Sequence, residues 1–191
     1  RLDHVDDVVE DLDVYSALGE RIDMPTVTPR VGSTSFETAY QMAYDLTGDA
    51  LRLKPWDFNE GRAMLALGGL GPGGAERQAA FTAAGVQRTN TYDTYVLCSF
   101  LDPPADFFRP VVESAGAKTV KLQWDPPELK FPAVLEAQKV LDERFGALRF
   151  GDIYREIVRY AAAIRQLRPA IVHSWMDYCN VLCGTAARLV G

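Results

Sequence analysis

Apolar positions along the chain change their period near residue 60. Before it, HVDDVVEDLDVYSAL (4–18) and SFETAYQMAYDL (35–46) repeat apolar residues at helical intervals, separated by the breaker-rich DMPTVTPRVGST (23–34). Residues 1–58 therefore read as a helical lead-in whose acidic side chains form a solvated face, and LKPWDFNEG (53–61) as a punctuated connection. From residue 62 short apolar runs alternate with helical stretches. RAMLAL (62–67), TYVLCSFL (94–101), AKTVKLQW (117–124) and PAIVHSW (169–175) predict strands, their apolar and β-branched residues packed too densely for a half-exposed helix. Helices are predicted over 75–86, within 106–116, and over 133–145, 152–167 and 180–190. The strongest is 152–167, where Ile153, Ile157, Tyr160, Ala161, Ile164 and Leu167 share one face and Asp152 is placed to cap the first turn.

Strands alternating with helices imply parallel pairing through right-handed crossovers. The expected fold is a doubly wound, mostly parallel α/β sheet over 59–191, preceded by the helical segment. With the common strand order 3-2-1-4, the first and fourth strands lie side by side at the topological switch point, where such sheets bind ligands. The turn after the first strand and HSWMDYCN (173–180) would then share one crevice.

That turn is LALGGLGPGGAERQ (65–78), in which five of the seven residues 68–74 are glycine. Bare backbone admits close approach of a phosphate, and the free amides of Gly73, Gly74 and Ala75 at a helix start offer donors backed by the macrodipole. Gly69, Gly71 and Gly74 satisfy G-x-G-x-x-G between a strand and a helix, the context of a dinucleotide-binding turn. The acid which that fingerprint wants near the end of the second strand has only Asp102 as a candidate, and Pro72 removes an amide from the middle of the turn. A turn that binds nothing is the plainer alternative. A P-loop is excluded, since no Gly-Lys-Ser/Thr ends the loop.

Composition narrows the partners. The 191 residues are 48% hydrophobic and carry 20 Lys and Arg against 26 Asp and Glu, a net charge of -6 that gives no general attraction to nucleic acid. No apolar run reaches bilayer-spanning length. Three cysteines, Cys98, Cys179 and Cys183, make no disulfide framework and suit a reducing compartment, so a cytoplasmic location is expected. His173, Cys179 and Cys183 lack a fourth ligand and match no familiar zinc spacing, so no metal is expected. Phe107 and Phe108 are expected to pack a helix onto the sheet. The chain opens on Arg1 and ends at Gly191 directly after a helical pattern, which reads as a piece of something longer.

GGLGPGGAERQ, VLCSFLDPPADFFRPVVESAGAKTVKL and LRPAIVHSWMDYCNVLCGTAARLVG, in that order, resemble the amino-terminal, Rossmann-like domain of the GT4-like glycosyltransferases with a GT-B fold, over about residues 62–191. The resemblance implies half of a retaining transferase of surface-polysaccharide biosynthesis. Such an enzyme moves a sugar from a nucleotide-sugar donor to a saccharide or lipid-linked acceptor, without a cofactor, in the cytoplasm or at the inner face of the membrane, where peripheral membrane contact would follow. It also implies a missing carboxyl-terminal donor domain, without which this chain transfers nothing. Carried over by position, Gly71, Gly73 and Gly74 approach the leaving diphosphate, with Glu76 and Arg77 in the first helical turn. Arg77 would add a charge-assisted phosphate contact, and Glu76 would at least complement the helix dipole. His173 would line the sugar pocket, and Trp175, standing where the family often has a second histidine, would stack on an acceptor ring. Asp177 is the candidate general base and Asn180 a hydroxyl ligand, although both also suit the capping of a helix. Two other readings stay open: an NAD(P)-dependent oxidoreductase domain using Gly69-x-Gly71-x-x-Gly74, and a non-catalytic binding module.

Overall fold

The computed structural model describes residues 36–145 and 149–191. The segments 4–18 and 23–34, with His4, lie outside them. The described chain runs α1 (Phe36–Leu51), β1 (Asn59–Leu67), α2 (Gly74–Arg88), β2 (Asp93–Cys98), α3 (Arg109–Ser114), β3 (Lys118–Lys121), α4 (Pro132–Phe145), α5 (Phe150–Leu167), β4 (Pro169–Ser174) and α6 (Asp177–Val190), with single 3-10 turns at Pro55–Asp57 and Pro127–Lys130.

All four strands are parallel, in the order β3-β2-β1-β4. This is the doubly wound α/β architecture that the alternation of strand and helix demands. β1 is one of the two inner strands, and its residues from Ala63 onward are buried on both faces. Met64 and Ala66 enter the larger core, between the sheet and α1, α4, α5 and α6, with Leu97, Leu141, Tyr154, Ile157, Ile164, Leu182 and Leu189. Leu65 and Leu67 enter the smaller core beneath α2 and α3, with Leu70, Val96 and Val112. The α2 face turned to the sheet is made of Ala79, Ala80, Ala83 and Ala84, whose short side chains let the helix lie close.

α1, which the sequence groups with the lead-in, contributes Ala39, Ala43 and Leu51 to the larger core. The Leu53 amide donates to Val190 O (2.6 Å), tying the end of α1 to the end of α6. α3 closes at Gly116, whose φ of 88° is a left-handed conformation that a side chain would strain. The strands expected over 94–101 and 117–124 end early, at Cys98 and Lys121, and three further details differ from the sequence expectation. β1 begins at Asn59 rather than Arg62, because Asn59 pairs with Pro169 although its side chain is exposed. α5 begins at Phe150, so Asp152 sits inside the first turn, paired with Arg149 (2.7 Å) instead of capping. Phe107 is exposed and meets Phe108 edge-on (4.9 Å, 86°), so only Phe108 packs against the smaller core.

Candidate functional site

β1 and β4 are neighbours whose following helices depart to opposite faces of the sheet, and their carboxyl ends form the switch-point crevice. The glycine loop 68–73 leaves one end and Trp175–Met176 the other. The Trp175 amide donates to Ala66 O (2.8 Å), which carries the ladder one residue past β4.

The glycines divide the loop into two halves with different physics. In the first half the loop is laced to the segment after β2: Phe100 N–H donates to Gly68 O (2.9 Å), Leu70 N–H to Ala105 O (2.7 Å) and Phe108 N–H to Leu70 O (2.7 Å). A β-carbon on Gly69 would stand 3.1 Å from Phe100 O and 3.2 Å from Ala105 Cβ, so this glycine permits close approach of two backbones. One on Gly71 would meet Pro104 O at 3.7 Å and Ala105 Cα at 4.0 Å, ordinary contacts. No glycine of the loop takes a left-handed φ. In the second half, Gly73 is the extended N-cap of α2, and a β-carbon on Gly74 would touch nothing within 4 Å.

The first-turn amides of α2 lie at the positive end of the helix dipole, with open space beside Gly74. Glu76 bends back so that its carboxylate occupies the space a side chain on Gly73 would need. Arg77 is exposed and lies along the helix over the Phe81 ring, 5.9 Å from its centroid.

On the β4 side, His173 pairs in register with Leu65, placing both side chains on the α2 face of the sheet. His173 is exposed and lies against Trp175, ring centroids 5.1 Å apart at 31°. Trp175 packs on the smaller core, its indole Nε1 buried with no hydrogen-bond partner among the described residues. Met176 follows at φ 74° and ψ 146°, a region nearly confined to glycine. That turn starts α6 directly, so Asp177 and Asn180 both fall in its exposed first turn. The structure thus gathers Gly73, Gly74, Glu76 and Arg77 at one helix start and His173, Trp175, Asp177 and Asn180 at the adjoining strand end.

Asp102, in the segment after β2, is exposed and ion-paired with Lys121, the last residue of β3. The three cysteines are buried, Cys179 and Cys183 on the core side of α6. Burial pushes the Cys98 and Cys183 thiols up to about 12, and raises Cys179 as well. Tyr160, raised by desolvation, shares a hydrogen bond with Ser99 Oγ (3.1 Å) and accepts one from Cys179 Sγ (3.7 Å). No group of three or more His, Cys, Asp or Glu is arranged to hold a metal ion among the described residues.

Sequence reasoning missed a second gathering at the carboxyl edge, on the α5 side of the sheet. Phe100 after β2, Trp124 after β3 and Tyr178 in the first turn of α6 are exposed, and Arg159 of α5 stands among them. Their signal was positional: an aromatic residue within a few places of the end of each of three strands that the topology brings to one edge. Comparison of the chain with family models, with curated proteins and with solved structures gives no match.

Proposed function

We propose that residues 36–191 are the acceptor-side half of a retaining, GT4-like glycosyltransferase that uses a nucleotide-sugar donor. The observation that carries the reading is the start of α2, where Gly73 and Gly74 leave the backbone bare, at the same sheet edge as the His173–Trp175 pair of the β1/β4 switch point. A departing nucleoside diphosphate needs donors that are already aimed at the charge it develops, and the amides of Gly74 and Ala75 supply them once the Glu76 carboxylate, which lies against Gly73, gives way. Arg77 can exchange its contact with Phe81 for a phosphate oxygen. Across the crevice, the ring of Trp175 supports an acceptor sugar, His173 and Asn180 meet its hydroxyls, and Asp177 takes the proton of the attacking hydroxyl. The remaining donor contacts come from a second domain in this reading, and the chain alone turns nothing over. No helix among the described residues is long and apolar enough to cross a membrane, and a cytoplasmic site, at the inner face of the membrane for a lipid-linked acceptor, belongs to the proposal.

The literal Gly69-x-Gly71-x-x-Gly74 favours a dinucleotide in letter more than in physics. In that fingerprint the third glycine lets helix and strand pack closely, whereas Gly74 has open space where its side chain would be. The acid expected at the ribose is engaged by Lys121. Calorimetric titration of the chain with UDP, GDP and NAD tests the choice. Expected is binding of a nucleoside diphosphate that weakens about tenfold, ~1.4 kcal/mol, in Gly74→Asp. The variant is sterically harmless and sets a carboxylate at the phosphate position. NAD bound by a chain silent to both diphosphates would overturn the reading.

A further inference from the structure

Exposed aromatic rings on a folded surface are ordinary when scattered and informative when gathered. Phe100, Trp124 and Tyr178 are 54%, 46% and 66% exposed, and they come from three segments far apart in sequence. The Phe100 and Trp124 rings lie 5.9 Å apart, tilted at 50°. The Arg159 guanidinium stands over the Trp124 ring at 4.7 Å, donates from Nε to the Trp124 carbonyl (2.8 Å) and pairs with Glu156. Tyr178 is within electrostatic reach of both members of that pair. The ion pair is itself mostly shielded, with side chains 12% and 24% exposed. A cavity of about 60 Å³ opens beside Arg159, with Gln123 and Gln166 on its wall.

The chemistry is mixed in a definite way: flat apolar faces splayed around a fixed guanidinium–carboxylate pair, with amides close by. A purely hydrocarbon ligand would leave the charged pair desolvated and unanswered. A small anion would have no use for three rings and would meet Glu156. A pyranose ring has an apolar C–H face to lie on an aromatic ring and hydroxyls at its rim to accept from Arg159 and donate to Glu156.

We propose that Phe100, Trp124 and Tyr178 form a subsite for a neutral saccharide ring, held at its hydroxyls by Arg159 and Glu156. This subsite lies on the α5 side of the sheet edge, distinct from the Gly73–His173 crevice on the α2 side. The subsite does not depend on the transferase reading; where that reading holds, it receives a further residue of an extended saccharide acceptor.

The test is saturation-transfer NMR on the full chain with methyl glycosides of glucose, galactose, mannose and N-acetylglucosamine, and with uridine as the competing flat ligand. Expected is transfer to the ring protons of at least one glycoside. Trp124→Ala should weaken that binding roughly three- to tenfold, the worth of one aromatic contact. The backbone carbonyl that Arg159 uses survives this change, and Phe100→Ser provides an independent second variant. Gly74→Asp should leave glycoside binding unchanged, which separates this subsite from the diphosphate site. The proposal is overturned if no glycoside binds, if Trp124→Ala binds as well as the parent, or if uridine alone gives a Trp124-dependent signal. Sedimentation equilibrium closes the last route: self-association abolished by Trp124→Ala would make the rings an interface between copies and sink the saccharide subsite.

Discussion

The carboxylate of Glu76 fills the space that a side chain on Gly73 would occupy, so the start of α2 is answered by the helix's own third residue. An acid at this position stabilises the helix by about 0.3–1 kcal/mol, and it also sits where an incoming phosphate would sit. Glu76→Gln should therefore lower stability by that amount while strengthening diphosphate binding about two- to fivefold. Thermal unfolding and calorimetry on one pair of proteins check both signs, and a variant that binds more weakly would show the carboxylate helping the ligand.

Two glycines of one loop should respond to alanine in opposite directions. Gly69→Ala drives a methyl group against Phe100 O and Ala105 Cβ and should cost about 1–3 kcal/mol. Gly74→Ala adds a methyl group in open space at a helical position and should be neutral or stabilising by up to ~1 kcal/mol. Urea unfolding of the two variants reads the difference.

Met176 holds a backbone conformation that L side chains rarely take, at the bend that turns Trp175 onto the smaller core and starts α6. Such a residue stores about 1–3 kcal/mol. Met176→Gly should release most of it, and the urea midpoint should rise. A fall in midpoint would mean that the Met176 side chain contributes more than the bend costs.

The folded chain should resist thiol reagents at neutral pH and lose stability in alkali. Cys98 and Cys183 keep their protons until about pH 12 when folded, against an ordinary value of 9.0. The raised folded value means that their contribution is fully present below pH 9 and is lost as pH rises from 9 toward 12, because the unfolded chain releases those protons first. Iodoacetamide labelling with and without urea, and unfolding midpoints across that interval, check this. Rapid labelling of the native protein at Cys98 would contradict it.

Much of the sheet is legible in the sequence because buried parallel strands write themselves as apolar runs. RAMLAL falls within β1, while TYVLCSFL and PAIVHSW overrun the ends of β2 and β4 by three residues and by one, and AKTVKLQW overruns the short β3 at both ends; the order that sets β1 beside β4 follows from handed crossovers. The polar start of β1 at Asn59 carried no such run, and its pairing with Pro169 depends on the end of α5, more than a hundred residues away in sequence. The glycine loop was visible as composition, but the division of labour within it was not. That Gly69 is packed against the segment after β2 while Gly74 faces open space depends on where that segment runs, which no local pattern discloses. The Phe100–Trp124–Arg159 gathering was hidden for the same reason, since each residue by itself looks like an ordinary loop or helix-surface position.

The packing of α1 against α4 and α6 also sets a timetable. During synthesis the chain emerges at roughly 5–20 residues per second, and the stripe Ala39, Ala43 and Leu51 leaves the ribosome seconds before the helices that cover it exist. Throughout that interval the stripe is without the α4 and α6 surfaces that cover it in the folded chain.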